Sequence, residues 1–112
     1  RKEILADFLR DVFSKVDILH VPVVPIPVST LVESNIQNNP GFIEHLSLLG
    51  HCTRPFDYLG LPALALPAGL TDNGMPTGFQ LAAPPFEESV LFRAGRAYER
   101  ENTWSFPELI FE

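Results

Sequence analysis

The sequence predicts a mixed α/β fold, with helix, strand, helix, strand, strand and helix in that order. Three observations lead there. Apolar residues recur with a helical period near both ends and in the middle of the chain. Short apolar runs rich in β-branched or small residues lie between them. A turn signature, Asp72-Asn73-Gly74, joins the last two runs at a spacing that suits a hairpin.

The first helix is expected over Arg1 to Lys15, where Ile4, Leu5, Phe8, Leu9, Val12 and Phe13 form one stripe among charged residues. A strand follows at about residues 17–22. Pro22, Pro25 and Pro27 end it, because proline cannot donate to a sheet ladder. His20 lies inside this apolar run and reads as a satisfied core histidine rather than a catalytic base. Ser29 to Pro40 is polar and reads as a surface loop, with or without a short helix.

Periodicity returns from Phe42 to Arg54 and predicts a second helix, stopped or kinked by Pro55. Phe42, Leu46, Leu49 and Thr53 share one side of it; Ile43, Ser47, Gly50, His51 and Arg54 share another. Asp57 to Pro62 reads as a turn. Ala63 to Pro67 and Gly78 to Ala83 are two short strands that can pair across the Asn73-Gly74 turn. Glu87 and Glu88 open the last helix, where carboxylates suit the positive end of the dipole. Its predicted buried stripe is Val90, Leu91, Ala94, Ala97 and Tyr98, with fraying from Glu99 to Glu101 toward Trp104. The closing run Phe106 to Glu112 is apolar without clear period, a segment that could dock on a partner surface. Three strands are few for a sheet covered by helices on both faces. A larger sheet elsewhere is expected to complete this one.

Composition narrows the function. The 112 residues are 46% apolar and 20% charged, with eight Lys+Arg against fourteen Asp+Glu. Nine Phe and abundant aliphatic residues argue against disorder. Scattered, outnumbered cations argue against a nucleic-acid platform, which needs clustered Lys and Arg on phosphate. The apolar run Ile18 to Val28 is broken by prolines and is no membrane span. The single cysteine, Cys52, excludes an internal disulfide and a multi-cysteine zinc site. It fits a reducing cytoplasm. The chain opens at Arg1, without Met, inside a helical pattern, which leads us to expect a piece of a longer protein.

A catalytic constellation is not expected on these residues. There is no Gly-x-Ser-x-Gly elbow. Adjacent His51 and Cys52 would point about 100° apart on a helix. His20, His45 and His51 have no metal-ligand spacing, and no Walker or dinucleotide pattern occurs. One side of the second predicted helix carries Ser47, Gly50, His51 and Arg54. Such residues either face solvent or line a cavity, where Gly50 would leave room and Arg54 and His51 would offer donors.

The stretch Thr53-Arg54-Pro55-Phe56-Asp57-Tyr58-Leu59-Gly60-Leu61-Pro62-Ala63-Leu64-Ala65-Leu66-Pro67-Ala68-Gly69 resembles the C-terminal part of the amidase signature family. Asp72 to Leu81 is similar to that family's acidic turn and following Gly and Gln-Leu segment. Pro85 to Ala94, with Ala97-Tyr98-Glu99, resembles its closing helix, and Val16 to Pro22 its strand that ends at a proline. The resembling pieces cover most of residues 16–104 in the family's order.

By that resemblance, residues 1–112 are the C-terminal segment of a single amidase domain, part of a mixed-sheet α/β/α fold and incomplete alone. The resemblance implies hydrolysis of a carboxamide C–N bond through a serine acyl-enzyme, with a Ser–Ser–Lys triad and no metal or cofactor. None of that triad maps onto this sequence, so the segment alone is expected to be inactive, and an incomplete sheet with open edges is expected to make it poorly soluble. It implies a small-molecule amide as substrate, the N-terminal portion of the same enzyme as companion, and a homodimer as a candidate assembly. Nucleic acid and membrane are not expected partners of such a hydrolase.

The resemblance carries substrate-binding roles to Ser47, Gly50 and Arg54, with His51 beside them. Glutamine-using amidotransferase subunits resemble this motif but carry an Asp three residues before its Thr, where this chain has Gly50. That departure points to an uncharged or acidic amide, whose carboxylate Arg54 could meet. Two other readings stand beside the hydrolase. One is a non-catalytic binding or assembly module on the same scaffold. The other is a glutamine-dependent amidotransferase subunit working with partner subunits and transfer RNA.

Overall fold

The computed structural model describes residues 1–103. The expectations for Trp104 and for Phe106 to Glu112 lie outside the described residues. Helix α1 spans Lys2–Asp11, β1 Leu19–Pro22, α2 Phe42–Leu49, α3 Arg54–Leu59, β2 Ala63–Leu70, β3 Pro76–Ala82 and α4 Glu88–Glu101.

The three strands form one sheet in the order β1-β3-β2, antiparallel throughout. β2 and β3 are the expected hairpin. Its turn closes through Gly74 N–H to Thr71 O at 2.8 Å and Thr71 N–H to Met75 O at 2.8 Å. Gly74 sits at φ 76°, where a Cβ would be strained. The strands run longer than their apolar runs, because ladder bonds extend to the turn. The hairpin register shifts between Pro67 and Gly69.

Period-two alternation sorts the sheet's side chains into two faces. Leu64, Leu66, Phe79 and Leu81 face α4 and form a core with Ala83 and Leu91. Leu19, Val21 and Ala82 face the other way, with Phe56, Leu59 and Leu61, and Leu5, Phe8 and Phe13 close that side. The chain is therefore helix, sheet, helix in cross-section, the α/β/α layering expected for part of an amidase signature fold.

Several elements depart from the sequence reading. α1 ends at Asp11, and turns carry its stripe on to Lys15. The helix expected over residues 42–54 is two helices. Pro55 does not end a helix; it stands in the first turn of α3. The physical reason is the same missing N–H: a continuous helix would need Pro55 to donate to the carbonyl of His51. The break falls instead at Gly50, and the first turn of a new helix tolerates proline. Asp57 to Leu59, expected as turn, belongs to α3.

α3 ends at Gly60 in the left-handed conformation, φ 75° and ψ 37°. Gly60 N–H bonds Asp57 O, Leu61 N–H bonds Phe56 O at 3.0 Å, and Leu61 packs with Phe56. This paired closure fixes the direction in which the chain enters β2.

On α4 the buried contacts come from Leu91 and Gly95, with Val90, Ala94 and Tyr98 half-buried. Ala97 is exposed, contrary to the expected stripe. Six residues beyond Leu91 it lies about 120° from that residue's direction. Glu99 to Glu101, expected to fray, complete the helix. Gly95 lets α4 approach β2 closely; a Cβ there would come within 2.7 Å of Leu64 Cδ2. Tyr98 meets Phe79 edge-on at 4.9 Å and donates its hydroxyl to Pro67 O at 2.7 Å.

His20 is exposed rather than a core residue. It points to the α4 side, but α4 packs against β2, at the opposite edge of the sheet from β1. The imidazole rests against Phe79 at 4.6 Å and faces solvent on its other side. In the polar loop, Thr30 and Glu33 cap one another: Thr30 N–H donates to Glu33 Oε2 at 2.8 Å, and Glu33 N–H to Thr30 Oγ1 at 3.2 Å. The backbone bond from Thr30, with help from its hydroxyl, holds the Glu33 carboxyl below its ordinary pKa.

Candidate functional site

The four residues expected at a substrate pocket lie around the elbow between α2 and α3. Ser47 is on the last turn of α2, Gly50 ends that helix, His51 follows in the turn, and Arg54 opens α3. They are not one face of one helix. The elbow nonetheless brings three of them together. The Arg54 guanidinium folds back over Gly50 and donates from Nη1 to Ser47 O at 3.3 Å. A Cβ on Gly50 would lie 2.8 Å from Arg54 Nε and 3.2 Å from its Cζ. The guanidinium thus fills the space a side chain at position 50 would take. The arrangement is electrostatically sound, since a cation at a helix C-terminus meets the negative end of the dipole.

Ser47 contributes its carbonyl to this cluster and not its hydroxyl, which donates back to Glu44 O at 2.7 Å. His51 is exposed and takes no part in the hydrogen bonds of the cluster. Cys52 is a half-buried free thiol.

Beside the elbow lies an apolar hollow of about 550 Å³. Val23, Ile26, Phe42, Leu49, Leu66 and Thr77 are among the residues that line it. The proline-rich exit from β1 is one wall, and Leu49, the residue before Gly50, brings α2 to another. Ser47, Gly50, His51 and Arg54 do not line it; they sit at the end of α2 next to Leu49.

Gln80 is not among the site residues expected from the sequence. It is the buried polar side chain of the described core, 4% exposed. Its Nε2 donates to Pro22 O at 3.2 Å and to Cys52 O at 2.9 Å. The available signal is a lone amide inside the apolar run Phe79 to Ala83. Such a residue is retained in a strand only where it can be satisfied.

The elbow offers an exposed cation held on Ser47 O over Gly50, and beside it lies an apolar hollow whose lining includes the hydroxyls of Ser29, Ser34, Thr71 and Thr77. Among the described residues, no three His, Cys, Asp or Glu side chains gather where they could hold a metal ion. No described helix is long and apolar enough to cross a membrane.

A family model described as Amidase matches residues 1–92. The chain is similar to the A subunit of glutamyl-tRNA(Gln) amidotransferase of Myxococcus xanthus, 39% identical over 102 residues, covering 91% of this chain and 20% of that protein. It is similar to the protein of the same name from Chloroflexus aggregans, 35% identical over 96 residues, covering 83% of this chain and 18% of that one. With the Trichodesmium erythraeum protein of that name it shares 39% identity over 92 residues, 82% of this chain and 18% of that one. The chain spans about a fifth of the length of the curated relatives it matches.

Proposed function

The chain belongs to the amidase family, and from that premise we propose that the polypeptide carrying it cleaves a carboxamide C–N bond through a serine acyl-enzyme. On this reading residues 1–112 are the C-terminal segment of a single amidase domain. They supply scaffold and one wall of the acyl pocket. The reactive serines and lysine lie in polypeptide outside these residues. There a serine would attack the amide carbonyl, backbone N–H groups would hold the oxyanion, and water would release the acid. The segment's own contribution is to shape and charge the pocket around the acyl group.

The observation that carries the substrate class is the Arg54 guanidinium lying over Gly50. A carboxylate at position 50 would hold a substrate ammonium; here the same space holds a cation. That supports an uncharged or anionic amide and disfavours an amino-acid amide, whose ammonium would face a like charge.

Two outcomes test this. The purified 112-residue segment is expected to release no ammonia from simple amides, while the complete polypeptide does so and labels with a fluorophosphonate-type probe. Turnover by the segment alone would refute the assignment of the reactive groups elsewhere. In the complete polypeptide, Arg54→Ala is expected to raise KM for an anionic amide roughly ten- to hundredfold with kcat nearly unchanged. That is the range of a charge-assisted hydrogen bond of about 1.5–3 kcal/mol. Loss of probe labelling in a folded Arg54→Ala protein would show that the residue serves acylation and not the pocket.

A second reading, one subunit of a glutamine-dependent amidotransferase, is favoured by the names of the three relatives above. It predicts that glutamine, with partner subunits present, is turned over faster than any simple amide. Comparing ammonia release from both substrates decides between the two.

A further inference from the structure

Gln80 occupies the centre of β3, opposite Val21 on β1 and Ala65 on β2. Its side chain leaves the sheet toward the α1–α3 side and joins two segments that no strand ladder connects. One acceptor, Pro22 O, is the last carbonyl of β1, where the chain passes into the wall of the apolar hollow. The other, Cys52 O, lies in the elbow, two residues from both Gly50 and Arg54. A primary amide carries two N–H groups on one nitrogen, so a single side chain can satisfy both carbonyls. A hydrocarbon of the same length would take that donor from both.

We infer that Gln80 is a positioning residue: its amide fixes the α2–α3 elbow against the end of β1, and so sets where Arg54 stands relative to the hollow. The consequence for substrate rests on the amidase reading above; the tie between the two segments does not. Arg54 reaches its place through the turn that Gln80 anchors. Loosening that turn should weaken substrate positioning while leaving the reactive groups, which lie elsewhere, intact.

The test uses the complete polypeptide in two measurements. In hydrogen exchange, Gln80→Met is expected to speed exchange of the amides over residues 50–54 at least tenfold, with the β2–β3 hairpin unchanged. In steady-state kinetics on an anionic amide, the same variant is expected to raise KM severalfold with kcat held within twofold, and Gln80→Glu, which has the length but not the two donors, is expected to behave like Gln80→Met. Unchanged elbow exchange in folded Gln80→Met would overturn the inference, as would a loss confined to kcat. Should the variants not fold, the unmutated protein decides. The Nε2 protons of Gln80 are expected to exchange at least tenfold more slowly than those of exposed Gln37, and equal rates would overturn the tie. A polypeptide with no amidase activity but a protected elbow would sink the proposed function and leave the positioning role standing.

Discussion

Replacing Phe79 with alanine is expected to lower stability by about 3–5 kcal/mol, the range for emptying an aromatic site in a packed core. Phe79 is buried on β3 between Leu66 and Leu81, the middle strand of the sheet. Its ring receives Tyr98 edge-on and supports His20 on its other side. Alanine would remove the surface on which α4 and the β1 edge both rest. Domains are commonly stable by only about 5–15 kcal/mol, so a loss of that size should be visible as a large drop in denaturation midpoint or soluble yield. A change below about 1 kcal/mol by chemical denaturation would mean that the core is not organised around this ring.

The second large effect is expected at Gly95. Leucine there should destabilise by up to about 3 kcal/mol through overpacking, although leucine is the better helix former by roughly 1 kcal/mol. The sign follows from geometry. The first added carbon already meets Leu64 Cδ2 at 2.7 Å, with both Leu66 methyls at 3.7 Å. Propensity cannot offset three further carbons against those side chains. The mechanism has its own control: Leu64→Ala in the Gly95→Leu background is expected to recover part of the loss, a non-additivity that thermal unfolding can read. Simple additivity of the two changes would reject steric contact as the cause.

How much of this is legible in the sequence depends on which forces act locally. Asp72-Asn73-Gly74 and the alternating runs around it announce the β2–β3 hairpin, because turn chemistry and period-two burial are local properties. Leu91 and Tyr98 announce the buried stripe of α4 for the same reason. The α2–α3 elbow is not legible from periodicity, since apolar spacing continues past Gly50 while the backbone cannot. Only the hydrogen-bond requirement at Pro55 marks the break. His20 departs from its expected burial because the face a strand residue points to does not say how far the covering helix extends. At the candidate site the types and rough position of Ser47, Gly50 and Arg54 are readable. Their meeting through a carbonyl and a missing side chain is not, and neither is Gln80, whose partners are 58 and 28 residues away in sequence.

The Tyr98 hydroxyl on Pro67 O has a consequence for the outer border of β2. β2 forms one border of the described sheet, and Pro67 stands at its middle. A foreign strand arriving there finds no N–H to accept from, because the residue is proline, and a carbonyl already engaged by the tyrosine. At that one position the border of the described sheet therefore offers no donor, and its acceptor is taken up by a side chain that also seats α4.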